Sequence, residues 1–408
     1  MLAYRRYFAV LLAACCLLMS ELCSGRDFEF SDVFRAGLDA EAAGRLDEAL
    51  ELFSQAVQME PRSTRAWAKR GEIYLKKGSP ESAIEDLKKA VKLDPANGAA
   101  YTRLGFAYNA TNNYDKALEA LAEAVKLEPN SSEALNTRGF AFNGKHEYTK
   151  AVGEFDKAIR LNPNDARYYN NRGFAYNGKH EYAKAVMDFD RAIELDNKNP
   201  MYFNNRGVAY LRLEEYDKAL ADFDRAIDLD SKSASAYHNR GMAYSGKGRH
   251  DKAVEEFSKV IEMNPDSPVL YKDRGTAYRK LGEFELAVQD LEKAINLDKS
   301  FAPAYGALGM LYAVAAEPPY RNPAMALRMA EKAVSLTKGQ SPDMLENLAQ
   351  VQKQLQRSDD AIRTLRKALE MDPENRQYAD LLAKWTGSRA SVQPIDPKPA
   401  MGLLPNLW

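Results

Sequence analysis

Six arginines in the sequence are each followed, sixteen residues later, by an aspartate or a glutamate. The pairs are Arg70 and Asp86, Arg138 and Glu154, Arg172 and Asp188, Arg206 and Asp222, Arg240 and Glu256, and Arg274 and Asp290. The planar guanidinium of arginine can bind both oxygens of a carboxylate, so the spacing predicts six ion pairs. We interpret these pairs as structural; arginines that await an acidic ligand are the weaker alternative.

Equivalent positions elsewhere in the chain support the structural interpretation. Four further sites have the same sixteen-residue relation, after allowance for a short insertion, and lack both charges. They are Ala36 with Leu52, Leu104 with Ala120, Leu308 with Met329, and Leu348 with Thr364. The arginine and the carboxylate are therefore present together or absent together, as expected for two groups that contact each other.

Asparagines recur at a second set of positions, beside phenylalanines. Asparagine is a poor helix former, but its amide both donates and accepts hydrogen bonds and can hold a peptide backbone. The predicted peptide-binding groove comprises Asn136, Phe140, Asn143, Asn170, Asn171, Phe174, Asn177, Asn204, Asn205, His238 and Asn239. Two alternatives remain open: these amides bond to adjacent helices, or they reflect duplication of a segment, because NGKHEY occurs at both 143–148 and 177–182.

Residues suited to catalysis or metal binding are scarce. The 408 residues include four histidines (His146, His180, His238 and His250) and three cysteines. The sequence has no GxxxxGK[ST], HExxH or CxxC motif, so we expect no catalytic residue, no cofactor, no metal and no enzymatic activity. The 57 basic and 58 acidic residues nearly cancel, which argues against a nucleic-acid partner because such proteins need a basic face.

These side chains must be positioned by a repeating element, because small and aromatic residues recur every 34 residues. The glycines on this period are Gly37, Gly71, Gly105, Gly139, Gly173, Gly207, Gly241, Gly275 and Gly309. Each period contains two apolar-periodic segments of helical length with a short link between them, which predicts an antiparallel hairpin. One hairpin cannot bury both of its faces, so the hairpins must stack into a solenoid.

This pattern resembles the tetratricopeptide repeat over about residues 30–373. The resemblance implies an all-α superhelix of about ten hairpins, whose first helices line a concave surface that binds a protein or an extended peptide. Eight regular repeats are predicted at 30–301 and two irregular repeats, with an insertion, at 302–373. A capping helix at 374–386 and a disordered Pro-rich tail at 387–408 complete the predicted organisation.

The family also suggests what the groove does. The asparagine ladder is similar to that of O-linked N-acetylglucosamine transferase superhelices, which grip extended peptides. The carboxylate clamp of chaperone-binding members is missing, because the groove positions that should carry asparagine are mostly apolar, as at Phe106, Phe140 and Phe174.

Residues 1–25 read as an export signal, with two arginines ahead of a short apolar run at 7–19. Leu-Ala-Ala-Cys at 12–15 resembles a lipobox and makes Cys15 a lipidation candidate. Cleavage after Gly25 and an uncleaved anchor are the alternatives. All three cysteines lie in this segment, so cleavage after Gly25 would leave a mature chain without cysteine and therefore without disulfides. We expect localisation to the periplasm or cell envelope, with or without attachment to the membrane through the N-terminus, or secretion.

Together these features predict a non-catalytic scaffold or adaptor for protein–protein interactions, exported to the cell envelope. The alternatives are a self-assembling structural solenoid and a non-catalytic regulatory subunit of an envelope, secretion or cell-wall complex.

Overall fold

The computed structural model describes residues 29–373 and 375–387. These residues form 21 α-helices and no strand, which confirms the all-α solenoid prediction. The export signal at 1–25, including Cys15, and the tail beyond Gly387 lie outside the described residues. The chain divides into two compact units, Met1–Leu161 and Asn162–Trp408.

The first unit contains eight helices, arranged as four consecutive hairpins. They are α1 (Phe30–Ala42), α2 (Leu46–Met59), α3 (Thr64–Lys76), α4 (Pro80–Leu93), α5 (Gly98–Ala110), α6 (Tyr114–Leu127), α7 (Ser132–Gly144) and α8 (Tyr148–Leu161). Each hairpin packs against the next, and the first helices of some consecutive hairpins also touch, as α3 and α5 do.

The second unit contains six hairpins and a single closing helix. Its helices are α9 (Ala166–Gly178), α10 (Tyr182–Leu195), α11 (Pro200–Arg212), α12 (Tyr216–Leu229), α13 (Ala234–Gly246), α14 (His250–Met263), α15 (Pro268–Leu281), α16 (Phe284–Leu297), α17 (Ala302–Val314), α18 (Pro323–Leu336), α19 (Pro342–Gln354), α20 (Ser358–Met371) and α21 (Arg376–Thr386). The closing helix packs on α20, and the Tyr378 hydroxyl donates to Asp343 Oδ1 of α19 at 2.5 Å.

Local sequence explains where the first helix of several hairpins begins. The Asn97 side chain accepts a hydrogen bond from the Ala100 amide at the start of α5, and Ser131 caps α7 in the same way. Pro200 and Pro268 occupy the first position of their helices, where the missing N–H is not needed.

The core of each hairpin depends on close approach of its two helices. A Cβ atom added at Gly173 would lie 2.8 Å from Phe189 Cε1, and one at Gly139 would lie 2.6 Å from Phe155 Cε1. Both phenylalanines are fully buried, which contributes about 1.5–3 kcal/mol each. The 34-residue glycine period is therefore a packing requirement.

Candidate protein-binding site

The six arginines each contact the carboxylate sixteen residues ahead, across their hairpin. Arg172 Nη2 lies 2.6 Å from Asp188 Oδ1, and its Nε lies 2.8 Å from Oδ2. The pairs of Arg70, Arg206 and Arg274 engage both carboxylate oxygens likewise. Arg138 and Arg240 bind one oxygen of their glutamates. All six carboxylates are buried, so these arginines are occupied within the fold.

Several predicted groove amides bond to one another between consecutive hairpins. Asn205 Nδ2 donates to Asn170 Oδ1 at 2.9 Å, and Asn239 Nδ2 donates to Asn204 Oδ1 at 3.1 Å. All four residues are at most 7% exposed. The structure therefore places them in the contact between hairpins, as the packing alternative expected. Their predicted role in peptide binding is not favoured by this geometry.

Charged residues make the equivalent contact between α13 and α15, the first helices of the next two hairpins. His238 Nε2 lies 2.9 Å from Asp273 Oδ2, and Lys272 pairs with the other oxygen of that carboxylate. All three residues are at most 5% exposed. Burial alone would raise the pKa of Asp273, but the Lys272 charge and the His238 hydrogen bond hold it below its usual range. His238 is thus a structural residue of the hairpin contact.

The remaining predicted groove residues differ in their exposure. Asn143 is buried at 5% exposure. The half-buried members are Asn136, Phe140, Asn171, Phe174 and Asn177. Phe106, at the corresponding position of the third hairpin, is 48% exposed. An apolar side chain therefore lies open on the first helix of this hairpin.

A concave cavity of about 280 Å³ lies in the first unit, outside the predicted set. It is built from the first helices of three consecutive hairpins and the residue that caps α5. Its lining residues are Phe34 and Leu38 of α1, Arg65, Ala68, Lys69 and Glu72 of α3, Asn97, and Ala99, Ala100 and Arg103 of α5. We call this cavity the N-terminal groove. Its apolar side chains and charged groups can contact one ligand together.

Cations outnumber carboxylates around the N-terminal groove. Lys69 Nζ lies 3.1 Å from both Glu41 Oε2 and Glu72 Oε2, and Arg103 Nε lies 3.2 Å from Glu72 Oε2. Lys76 also pairs with Glu41, at 2.6 Å. Burial alone would raise the pKa of Glu41, but hydrogen bonds from Lys76 and Lys69 lower it, so this carboxylate stays ionised.

Arg65 is the cation of the N-terminal groove best placed for a partner. Its guanidinium carbon lies 4.8 Å from the centroid of the Phe34 ring, a cation–π contact that holds the side chain over the groove. Arg65 is exposed and makes no ion pair within the described residues. Among the lining residues, Arg65, Lys69 and Arg103 give three positive charges against the single carboxylate of Glu72.

One feature of the sequence could have indicated the N-terminal groove, although the sequence analysis concentrated on the repeated asparagines. Lys69 and Arg103 occupy the repeat position that is Asn171 and Asn205 in later hairpins. Departures from the repeat pattern on the groove-lining helix mark the N-terminal groove, whereas the recurring amides mark contacts between hairpins.

Two other kinds of site are not found among the described residues. No group of three or more histidine, cysteine, aspartate or glutamate residues there is arranged to hold a metal ion. No helix in the described ranges is long and apolar enough to cross a membrane.

The helices define a repeat protein of stacked helical hairpins, and the N-terminal groove is a cavity on the first helices of three of them. Models of the tetratricopeptide repeat match residues 34–98, 74–139, 144–179, 166–199, 200–233, 232–300 and 342–375. Together they cover more than half of the chain, which therefore belongs to the tetratricopeptide repeat family. No curated protein sequence matches it.

Solved structures with the same fold include a tetratricopeptide repeat protein from Parabacteroides merdae. It is 19% identical, with a TM-score of 0.50, and the match covers 64% of this chain and 98% of that one. The human IFIT1 dimer with m7Gppp-AAAA is 14% identical, with a TM-score of 0.51 over 85% of this chain and 91% of that one. MamA is 30% identical, with a TM-score of 0.37 over 41% of this chain and 92% of that one. The first two matches show the fold alone.

Proposed function

We propose that this chain is a non-catalytic scaffold whose N-terminal groove binds an extended segment of a partner protein. The observation that carries the proposal is the cavity built by Phe34 and Leu38 beside Arg65, Lys69 and Arg103. Members of the tetratricopeptide repeat family are scaffolds for protein–protein interactions. An apolar floor with a few fixed polar groups is the usual composition of a binding site.

The experiment compares partner capture by the wild-type protein and by Arg65→Gln/Arg103→Gln. The variant removes two cations from the N-terminal groove. A charge-assisted hydrogen bond contributes about 1.5–3 kcal/mol, so we expect recovery of the specific partner to fall about tenfold or more.

The matched control is Arg62→Gln/Lys88→Gln, which removes two positive charges from exposed positions outside the N-terminal groove. Proteins recovered by wild type and control but lost with the groove variant are the specific partners. Equal recovery by all three proteins would refute this groove as the binding site.

The proposal extends to export. The basic, apolar and small-residue order of 1–25 supports a signal that carries the scaffold to the cell envelope. Fractionation of cells expressing the full chain and Cys15→Ser tests the anchor: release of the variant from the membrane fraction supports lipidation. Unchanged soluble export supports cleavage after Gly25, and retention of both proteins in the cytosol would contradict export.

A further inference from the structure

The cations of the N-terminal groove are only partly neutralised by nearby carboxylates. Glu72 is the one acidic residue among the lining residues, and it pairs with both Lys69 and Arg103. Glu41 is shared in the same way between Lys69 and Lys76. Each of these two carboxylates is therefore divided between two cations, and the groove keeps a surplus of positive charge.

Arg65 is the place where a ligand can reach this surplus. Its side chain is exposed, and no carboxylate among the described residues of the first unit pairs with it. The Phe34 ring, 4.8 Å from the guanidinium carbon, holds the side chain at the groove without neutralising it. Phe34, Leu38 and Ala68 also line the groove, and apolar walls reduce the water that screens a charge. A carboxylate is therefore the ligand group that Arg65 is suited to bind.

An exposed aromatic side chain lies next to these cations. Phe106 is 48% exposed and follows Arg103 by three residues, so the two side chains share a face of α5. The Asn109 Nδ2 atom of α5 donates to the Thr137 carbonyl oxygen of α7 at 3.0 Å, so the two first helices are in direct contact. Phe140, half-buried on α7, occupies the same repeat position as Phe106. An apolar surface therefore follows the cations.

The separation of Arg65 from Phe106 sets the spacing that a bound segment needs. The two residues lie on α3 and α5, which touch each other, and packed helices are about 8–10 Å apart. Phe106 lies seven residues after Ala99, the counterpart of Arg65 on α5, which adds about 10 Å along the helix axis. An extended segment crosses this diagonal with about four residues.

We propose that the N-terminal groove selects an acidic segment of the partner protein, with a carboxylate side chain at Arg65 and a bulky apolar side chain at Phe106. This inference rests on the proposed function and adds the chemistry of the bound segment. The guanidinium of Arg65 donates two hydrogen bonds to the carboxylate, and the apolar side chain covers Phe106. A basic segment would meet like charge in the groove and be rejected.

Synthetic peptides test the charge and the apolar anchor separately. The probes are labelled peptides with two glutamates and, about four residues further on, a leucine, made in both chain orders. Their ends are blocked, so binding reports the glutamate side chains and not a terminal carboxylate. Matched peptides replace both glutamates by glutamine, or the leucine by alanine. In fluorescence anisotropy with the full-length protein at low salt, we expect the acidic peptide to saturate and its glutamine counterpart to bind about tenfold more weakly.

Variants assign the two contacts to their side chains. Arg65→Gln should weaken binding of the acidic peptide about tenfold and leave binding of the glutamine peptide nearly unchanged. Phe106→Ala should weaken binding of the leucine peptide severalfold and leave the alanine peptide unaffected. Arg62→Gln, which removes an exposed charge outside the groove, is the matched control and should bind as wild type. All three substitutions are at exposed positions, and circular dichroism verifies that each variant is folded.

The outcomes separate this inference from the proposed function. Equal affinities for the acidic and glutamine peptides would overturn the inference, as would an Arg65→Gln variant that weakens both peptides alike. The absence of saturable binding by every peptide would also overturn it. In each of these cases, loss of partner capture by Arg65→Gln/Arg103→Gln would still support the groove as the binding site. Equal capture by wild type and that variant would refute the groove itself.

Discussion

The pair formed by Arg172 and Asp188 illustrates how the same position can hold two charges or none. Asp188 is 6% exposed, so removing one partner leaves an uncompensated charge in a place that water barely reaches. In the third hairpin, Leu104 and Ala120 occupy these positions and are buried. The fold therefore accepts an apolar pair as well as an ionic pair.

This comparison predicts strong coupling between the two residues. Arg172→Leu alone leaves the buried Asp188 carboxylate unpaired and should lower the free energy of unfolding by about 3–5 kcal/mol, whereas Arg172→Leu/Asp188→Ala should be close to neutral. Urea unfolding of wild type, both single variants and the double variant measures the coupling. Purely additive losses would show that the contact contributes no net interaction.

Glu346 of α19 predicts a pH dependence of stability. Burial raises the pKa of Glu346 from its ordinary 4.5 to about 7, against the lowering effect of the Gln350 hydrogen bond. The folded state then binds the proton more tightly than the unfolded state does. Protonated Glu346 therefore makes its full contribution to the free energy of unfolding below about pH 4.5. This contribution is lost as the pH rises towards about 7, and the loss is up to about 3 kcal/mol.

Glu346→Gln tests this prediction, because glutamine retains the shape and cannot ionise. The variant should be more stable than wild type at pH 8, and the difference should shrink towards pH 5. Urea midpoints at the two pH values provide the measurement. A pH-independent difference would contradict the assigned titration.

The residue-scale predictions from sequence succeeded where both partners lie in one hairpin. Arg172 and Asp188 are equidistant from a turn, so the period alone places them level with each other. Asn170 and Asn205 are 35 residues apart, and their contact depends on how one hairpin rotates against the next. The repeat pattern contains no information on that rotation, so it could not distinguish a groove amide from a buried one.

At the scale of elements, two glycines in helix interiors predict opposite responses to alanine. Gly173→Ala places a Cβ 2.8 Å from Phe189 Cε1, whereas a Cβ at Gly153 meets nothing within 4 Å. Gly173→Ala should destabilise the protein by about 1–3 kcal/mol through overpacking. Gly153→Ala should stabilise it by about 0.5–1 kcal/mol, because alanine loses less backbone entropy in a helix. Thermal unfolding of both variants tests these predictions. Stabilisation by both substitutions would contradict the close approach of the two helices at Gly173.

The backbone conformation of some turns between the two helices of a hairpin could not be predicted from the sequence. Gly44, Gly78, Gly248 and Gly282 adopt the positive φ that ends the first helix of a hairpin, as glycine does most readily. His146 and His180 adopt the same conformation with φ of 60° and 62°. Their rings bond to Tyr148 and Tyr182 at 2.7 Å. The sequence located these turns, but a histidine gives no sign of a left-handed conformation.

At the scale of the whole molecule, the 34-residue period indicated the class of function, but it did not indicate where the proposed binding site lies. The formal net charge is −1, so the overall charge does not point to a particular kind of partner. The N-terminal groove becomes visible only when α1, α3 and α5 bring Phe34, Arg65 and Arg103 together. The proposed binding site therefore consists of local departures from the repeat, which the overall composition does not reveal.

The pattern of helix contacts predicts that stability is local along the chain. Within the second unit, extensive contacts link α9 with α10 and α10 with α11, whereas no contacts of comparable extent link α9 with α17, α18, α19 or α20. Stability in such an array is approximately a sum of hairpin and nearest-neighbour contributions. Gly173→Ala should therefore increase amide hydrogen exchange in α9 to α12 and leave α17 to α20 nearly unchanged. Gly153→Ala, in the first unit, is the control and should leave exchange in α17 to α20 as in wild type. A uniform loss of protection across α9 to α20 in Gly173→Ala would instead show that the second unit unfolds as one cooperative body.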